Sequence, residues 1–291
     1  MNILVTGGAG FVGTNLIRRL LKDGHNVVSL DNYSTGFKNN EQKGCEYFDV
    51  DISKIKEYSL FMENPYVIFH LAALARIQPS FDEPIETFES NVNGTLNILE
   101  YARKTNCQVI YAGSSSYHAG IYRSPYAFSK GVGTQICKLY SSVYDLNTSI
   151  YRFYNVYGEH QIESGTYATV IGIFEKQNRT GIPLTIVGDG EQRRDFTHID
   201  DIVEGLILAM GNKFRAEIFE LGRGKNYSIN EVANLFGGKK TYLPPRTAEY
   251  DKTLCDYSKA NDILGWSPKY DLDEYIIKTK RLLHEKSVAN R

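Results

Sequence analysis

The sequence predicts an α/β protein: a doubly wound parallel sheet covered by helices, followed by a smaller α/β C-terminal lobe. Three observations predict it. Through residue 158, short apolar runs alternate with amphipathic stretches, as in successive βαβ units. A glycine-rich turn, GGAGFVG at 7–13, separates the first run from the first amphipathic stretch. Beyond 158 the rhythm breaks into polar, glycine-bearing segments.

Taken in order, strands are expected at 2–7 (NILVTG), 26–31 (NVVSLD), 45–51 (CEYFDVD), 67–73 (VIFHLAA), 108–114 (QVIYAGS) and 148–158 (TSIYRFYNVYG). Between them, helices are expected over Thr14–Lys22, Lys54–Met62, Ile85–Thr105 and Tyr126–Tyr144. In the third of these, Ile85, Phe88, Val92, Leu96 and Leu99 recur at spacings of three and four, so one side faces the sheet. The second half reads as a loop, a helix at 168–179, a helix around 200–211, a strand at EIFELG and a compact tail with Pro244, Pro245 and Pro268. Residues 1–158, with segments near 195–222 returning to them, are expected to form the first domain, and 159–291 mainly the second lobe.

At 291 residues, 42% hydrophobic and 23% charged, the chain has the composition of an ordinary globular protein with a sizeable core. Its net charge of −1 lacks the basic excess of a general nucleic-acid or anionic-membrane binder, so neither partner is expected. Cys45, Cys107, Cys137 and Cys255 show no CxxC spacing; reduced thiols are expected, and no metal site. The start MNILVTGGAG lacks the features of a signal peptide. The longest apolar segment, YVIFHLAALA at 66–75, is too short to span a bilayer, and a cytoplasmic location is expected.

GGAGFVG contains Gly8-x-Gly10-x-x-Gly13 with a strand before it and a helix after it, which is the context a dinucleotide site requires. Glycines there let a pyrophosphate approach the helix N-terminus, where free N–H groups favour an anion. A glycine-rich turn without ligand is the plainer alternative. Asp31, 18 residues after Gly13 at the end of the second strand, can accept both adenosine ribose hydroxyls and would repel a 2′-phosphate. No Arg or Lys occurs between it and Lys38, so NAD is favoured over NADP. Asp51 ends the third strand, placed either for the adenine edge or simply at the surface.

Ser114, Ser115 and Ser116 fall at the end of the fifth strand, the edge at which ligands bind in open α/β sheets. Twelve residues after Ser114, Tyr126 opens a helix behind Pro125, and Lys130 follows one turn later. With 21 tyrosines in the chain the Tyr–Lys spacing alone carries little information. A polar turn and a helix surface would account for each feature separately. Beside a dinucleotide site they make a proton-handling set: an ammonium and the positive nicotinamide both favour the Tyr126 phenolate, and Ser114 can hold a substrate hydroxyl against it. Lys130 can also bind the nicotinamide ribose.

These stretches together resemble the extended short-chain dehydrogenase/reductases, specifically the NAD-dependent nucleotide-sugar epimerase/dehydratase group, which has a Rossmann-type fold. The resemblance spans TGGAGFVG, DNYSTG, DVDI, HLAA, NVNGT, PYAFSK, RFYNVYGE, GDGEQRRDFTHIDD and PPRTAEYDKTLCDYSKANDILGWSP. It implies cofactor contacts from Gly7, Gly10, Phe11, Val12, Asp31, Asn32, Asp51, Ile52, Leu71, Ala72, Ala73, Asn91, Tyr126, Lys130 and Phe153. It implies catalysis by Ser114, Tyr126 and Lys130, and substrate contacts from Ser114, Ser115, Tyr126, Asn155, Arg194, Arg246 and Glu249. Arg194 and Arg246 then grip phosphate, Asn155 the diphosphate and Glu249 the nucleotide ribose. His70 and His198 read as structural.

Sugar dehydratases of this group carry acids after the first serine position, and the decarboxylases a glutamate. Here Ser115 and Ser116 provide no carboxyl group for elimination. The resemblance therefore implies 4-epimerisation of a UDP-hexose or UDP-N-acetylhexosamine through a transient 4-keto sugar. A reductase or dehydratase of the same family and a catalytically silent NAD-binding regulator are the alternatives. Two departures bear on the sugar pocket: Tyr117-His118-Ala119 replaces the usual Val-Tyr-Gly, and the loop to Tyr126 is short, leaving the pocket more open or closed differently. Thr253 stands where some relatives have tyrosine, leaving room for an N-acetyl group. The resemblance also implies a homodimer built from Ile85–Thr105 and Tyr126–Tyr144.

Overall fold

A computed structural model gives the structure of the protein and describes residues 1–55, 57 and 61–289. Its centre is a seven-stranded, wholly parallel sheet in the order β11-β6-β5-β4-β1-β2-β3. In chain order the strands are β1 (Asn2–Thr6), β2 (Asn26–Asp31), β3 (Cys45–Asp49), β4 (Val67–His70), β5 (Gln108–Ser114), β6 (Thr148–Phe153) and, after four short strands outside the sheet, β11 (Arg215–Leu221). The chain lays β2 and β3 on one side of β1 and then returns to place β4 on the other, in the register Thr6↔His70. This reversal opens a crevice between the ends of β1 and β4.

Alternate residues of each strand feed two cores. Ile3 and Val5 point to one face, where they meet α1 (Phe11–Lys22), α7 (Ile199–Leu208) and Trp266. Leu4 points to the other face, with Ile98 and Leu99 of α4 (Gly94–Thr105) and Cys137 of α5 (Pro125–Tyr144). A strand covered on both faces has no polar side, which is why NILVT and VIFH read as unbroken apolar runs. Segments from 199 to 221 thus pack against the same sheet as the first helix.

A third core draws on residues from Tyr157 onward. Phe174 of α6 (Val170–Thr180), Val232 and Phe236 of α8 (Ile229–Phe236) and Ile276 of α10 (Leu272–Ala289) meet Leu184 and Ile186 of β8 (Leu184–Val187). Around it, β8 pairs parallel with β13 (Lys240–Leu243), and β9 (Arg193–Asp195) antiparallel with β12 (Asn226–Ser228). Helix α9 (Ser258–Leu264) leads to Trp266. No helix among the described residues is long and apolar enough to cross a membrane.

Several expected elements differ. The run 148–158 is two strands, because Asn155 takes a positive φ of 30° and turns the chain; β7 (Val156–Tyr157) then pairs with β10 (Thr197–His198). The helix expected over Ile85–Thr105 is α3 (Pro84–Phe88), a π-turn at Glu89–Asn93 and then α4. Such a turn adds a residue to the helical ladder and re-aims a side chain, here Asn91. Of the helix expected over Lys54–Met62, residues 56 and 58–60 lie outside the described residues, and the rest is turn or irregular. The compact tail contains α8, α9 and α10; α8 is announced by a capping box, Ser228 with Glu231, in SINE. A short helix α2 (Ile77–Asp82) follows β4.

His70 and His198 sit in structural roles. The His70 ring bonds Thr6 Oγ1 (2.8 Å) and Thr95 Oγ1 (2.9 Å), tying two strand ends to α4. His198 caps α7, its Nδ1 accepting from the Asp200 N–H at 3.2 Å. Burial, with a smaller contribution from the Lys130 charge, pushes the His70 pKa down to about 3 from its ordinary 6.5. Between those values the unfolded chain binds a proton that the folded protein refuses, so stability falls as pH falls, by roughly 1 kcal/mol per pH unit. We therefore expect urea unfolding of His70→Gln to lose this component of the slope between about pH 6 and pH 4. Equal slopes for variant and wild type would contradict it.

Candidate active site

All the strand ends from β1 to β6 open on one cavity of about 720 Å³. Its walls are Gly7, Gly10, Phe11 and Val12 after β1, Asp31 and Asn32 at the end of β2, and Asp51 and Ile52 after β3. Leu71, Ala72 and Ala73 follow from β4, Ser114 and Ser115 from β5, and Phe153 and Asn155 from β6. Tyr126, Lys130, Arg194, Arg246 and Glu249 complete the set that the sequence singled out. Asn91 alone does not line it. Only 1% exposed, it donates to Ser129 Oγ (3.0 Å) and Leu74 O (3.1 Å) and accepts from Leu74 N–H (2.8 Å). It acts on the wall after β4 rather than on the cavity itself.

The glycine spacing also needs correcting. Gly7 has φ +75°, and a Cβ there would lie 2.8 Å from the Ala72 nitrogen, so only glycine bridges the crevice between β1 and β4. A Cβ at Gly8 would strike Ser29 Oγ instead, away from the cavity. The glycines at the ligand side are thus Gly7 and Gly10, with Gly13 packed against Gly7 O. Helix α1 has Gly10 at its N-cap, with no capping side chain and no acid in its first turn. Its free N–H groups and positive end are left for an anion, which fits a cofactor pyrophosphate.

Asp31 is held by two backbone donors, Ala9 N–H at 2.9 Å and Tyr33 N–H at 2.8 Å. Burial raises its pKa and these bonds oppose the rise. Each oxygen keeps a lone pair for a ribose hydroxyl. At Asp51, burial would raise the pKa, but hydrogen bonds from Ser53 and the Lys54 ammonium at 3.1 Å hold it below the ordinary value.

At the other end Tyr126 enters α5 just after Ser124, whose Oγ caps the helix by accepting from Ala127 N–H at 3.1 Å. Its own N–H donates to Ser80 Oγ (3.1 Å), and its side chain shares the cavity wall with Ser114. Ser114 Oγ is fixed in turn by Ser116, which donates through N–H (3.2 Å) and Oγ–H (2.9 Å). Burial raises the Tyr126 pKa; the Ser114 hydroxyl and then the charge of Arg76 work against the rise. The sequence suggested Lys130 for that cation. Instead its ammonium donates to Ala112 O at 2.8 Å, and burial pushes its pKa down to about 8. Arg76 went unnoticed in the sequence, although a charge directly after the run YVIFHLAALA, at the ligand edge, was a usable signal.

The third wall is prearranged. Asn155 donates through Nδ2 to Asp195 O (2.7 Å) and Thr253 Oγ1 (3.3 Å), so a phosphate could draw its amide only by breaking the longer bond. Thr253 Oγ1 accepts in addition from Asp195 N–H at 3.1 Å. Arg194 pairs with Glu249 at 2.8 Å and donates to Tyr250 O. Behind them the buried Asp195 carboxylate accepts from the N–H groups of Arg223 (2.8 Å), Gly224 (2.9 Å) and Cys255 (3.0 Å). The short loop after Ser116 is pinned rather than open. Arg152 stacks 3.7 Å from the Tyr117 ring centre, and Glu220 joins Arg152 (2.9 Å), His118 (3.0 Å) and Tyr154 (3.1 Å).

A parallel sheet, a glycine turn under a bare helix N-terminus and a Tyr–Ser pair on the same cavity are the features of a dinucleotide-dependent α/β protein of the short-chain dehydrogenase/reductase type. The chain belongs to the NAD dependent epimerase/dehydratase family, whose sequence model matches residues 3–222. It is 35% identical to a putative UDP-glucose 4-epimerase of Methanocaldococcus jannaschii, over 99% of both chains. It is also 35% identical to a UDP-N-acetyl-alpha-D-glucosaminuronate decarboxylase of Bacillus cytotoxicus, over 79% of this chain and 77% of that one. Among solved structures, UDP-glucose 4-epimerase of Thermotoga maritima with UDP-glucose superposes with a TM-score of 0.91 at 30% identity, covering 99% of this chain and 100% of that one.

Proposed function

We propose that the protein is a nucleotide-sugar 4-epimerase, working on a UDP-sugar through a transient 4-keto intermediate. One observation carries this reading: Tyr126 and Ser114 line the same cavity wall, with no carboxyl group among residues 114–116. The acids of the cavity wall are Asp31 and Asp51, at the β2–β3 side, and Glu249, already paired with Arg194. Elimination of water needs an acid and a base at neighbouring sugar carbons, and these residues do not supply them.

NAD, held in this cavity, would supply the hydride acceptor and donor that oxidation and reduction at C4 need. The protein's own residues handle the proton. Tyr126 takes it from the 4-hydroxyl and gives it back, and Ser114 orients the hydroxyl and bonds the phenolate. Arg76 provides the positive charge that favours that phenolate against its burial, and Lys130 would hold the nicotinamide ribose. Asp31, Asp51, Ile52, Phe153 and the stretches 7–12 and 71–73 hold the cofactor; Arg194, Arg246, Asn155 and Glu249 hold the nucleotide diphosphate. In this reading residues 1–158, with 195–222, form the cofactor domain and most of 159–291 the substrate lobe.

A homodimer is part of the proposal. Ile85 on α3 is 76% exposed, and Leu139 and Val143 on α5, one turn apart, are 55% and 60% exposed. Leu96 on α4 is also exposed. Two copies joined along these helices would bury them. Sedimentation at the mass of two 33.0 kDa chains, and of one chain for Leu139→Glu, is the expected result. A wild-type monomer would refute the dimer.

Proton NMR of UDP-sugars incubated with the purified protein, with no cofactor added, tests the reaction. A C4 epimer is expected from wild type, with turnover lower by roughly 10²–10⁴-fold in Tyr126→Phe. Bound NAD should remain in both. Equal turnover in the variant would remove Tyr126 from the chemistry.

A further inference from the structure

We infer that the sugar this site takes bears a carboxylate, as in a uronic acid, and that Arg76 is the residue that reads it; the inference rests on the nucleotide-sugar reading above. Arg76 lines the cavity just beyond β4. Its Nε (2.9 Å) and Nη2 (2.7 Å) both donate to Tyr167 O, which fixes the plane of the guanidinium and leaves Nη1 without a protein partner among the described residues. Among the described arginines, only Arg76, Arg123 and Arg246 lack a carboxylate partner; the others are paired. These three are gathered at one place. Arg246 lines the cavity with Arg76, and Arg123 lies over the ring of Tyr250, which lines it too.

Arg76 is partly buried on the cavity wall, and a guanidinium there gives up part of its hydration without a counter-charge in return. Burial accordingly holds the Arg76 pKa below its ordinary value. The cavity's own acids do not relieve it: two belong to the far strand ends and Glu249 is taken by Arg194. A ligand carrying a negative charge would supply the missing partner. Phosphates are already provided for, by the N-terminus of α1 and by Arg194 with Arg246. Arg76 directly precedes α2, whose Ser80 Oγ accepts from the Tyr126 N–H at 3.1 Å, and both residues line the cavity; in the nucleotide-sugar reading Tyr126 marks the position of the 4-hydroxyl. In a hexuronate the carboxylate carbon is attached to C5, the immediate neighbour of C4. An arginine beside the 4-hydroxyl is thus within reach of that group, whereas the neutral hydroxymethyl of a hexose offers it no charge. Arginine's planar fork matches a carboxylate.

Oxidation at C4 also makes such a sugar a β-keto acid. Its C5–C6 bond can break with loss of carbon dioxide, the electron pair passing to an enolate that takes a proton at C5. Leaving as neutral carbon dioxide forfeits the ion pair with Arg76, so the same contact that recognises the carboxylate also discourages its loss.

The test is calorimetric titration of the full-length, NAD-loaded protein with UDP-glucuronate and with UDP-glucose, in wild type, Arg76→Gln and Arg76→Lys. Wild type is expected to bind UDP-glucuronate more tightly, and the ratio of the two affinities to fall roughly 10–100-fold in Arg76→Gln. Arg76→Lys, which keeps the charge without the fork, should retain part of that ratio and guards against a Gln variant that does not fold. A wild type that prefers UDP-glucose, or a Gln variant that weakens both ligands equally, would overturn the inference; in the second case Arg76 grips the diphosphate. NMR of the same mixtures separates the two proposals. A UDP-pentose instead of a C4 epimer would defeat the epimerase reading while supporting carboxylate recognition.

Discussion

Seven strands running the same way must all end on the same edge, and every part of the candidate site depends on that. Because β1 to β6 are parallel, the glycine turn, Asp31, Asp51, Ala72, Ser114 and Phe153 reach one cavity although they are spread over 150 positions of the chain. The reversal of winding at β1 separates two wall segments, and at Gly7 they approach so closely that a Cβ would lie 2.8 Å from the Ala72 nitrogen. The buried bonds of His70 to Thr6 and Thr95 hold the two strand ends together beneath that point. The second constraint is the Asp195 carboxylate, which draws three chain segments around one buried charge and so positions Arg194, Thr253 and Asn155.

The site is also electrically graded. Asp31 and Asp51 stand at the β2–β3 side, where ribose hydroxyls need acceptors, while Arg76 and Arg246, without carboxylate partners, line the same cavity from other segments. Tyr126 itself is in an environment that resists ionisation, and the groups that relieve it are Ser114 and Arg76. Lys130, on the same cavity, is anchored by donating to the Ala112 carbonyl.

What could be read from the sequence follows how local its cause is. β2 and β5 begin and end where apolar patterning and glycine place them, and α5 is fixed by Pro125 and the Ser124 cap. The break at Asn155 could not be read, because a positive φ at a residue other than glycine is imposed by tertiary contacts with Asp195 and Thr253. The π-turn around Asn91 was hidden for the same reason: the apolar spacing of Ile85–Thr105 is nearly that of one helix. The helices after 228 are short or weakly periodic, although SINE carried a legible cap. Most site residues were legible since they lie at strand ends. Asn91, expected to touch the cofactor, stands behind the wall after β4, because proximity in sequence to that wall does not say on which side of it a side chain lies.

The central claim is that C4 is oxidised and then reduced within the same cavity, with Tyr126 moving only the hydroxyl proton. The most direct measurement is to run the UDP-sugar reaction in deuterium oxide and read the product by NMR. The claim requires an epimer that keeps its original hydrogen at C4 and gains no deuterium on any ring carbon. Deuterium at C4 would mean that solvent protonates that carbon, and deuterium at C5 that the protein runs elimination or proton abstraction; either result would contradict it.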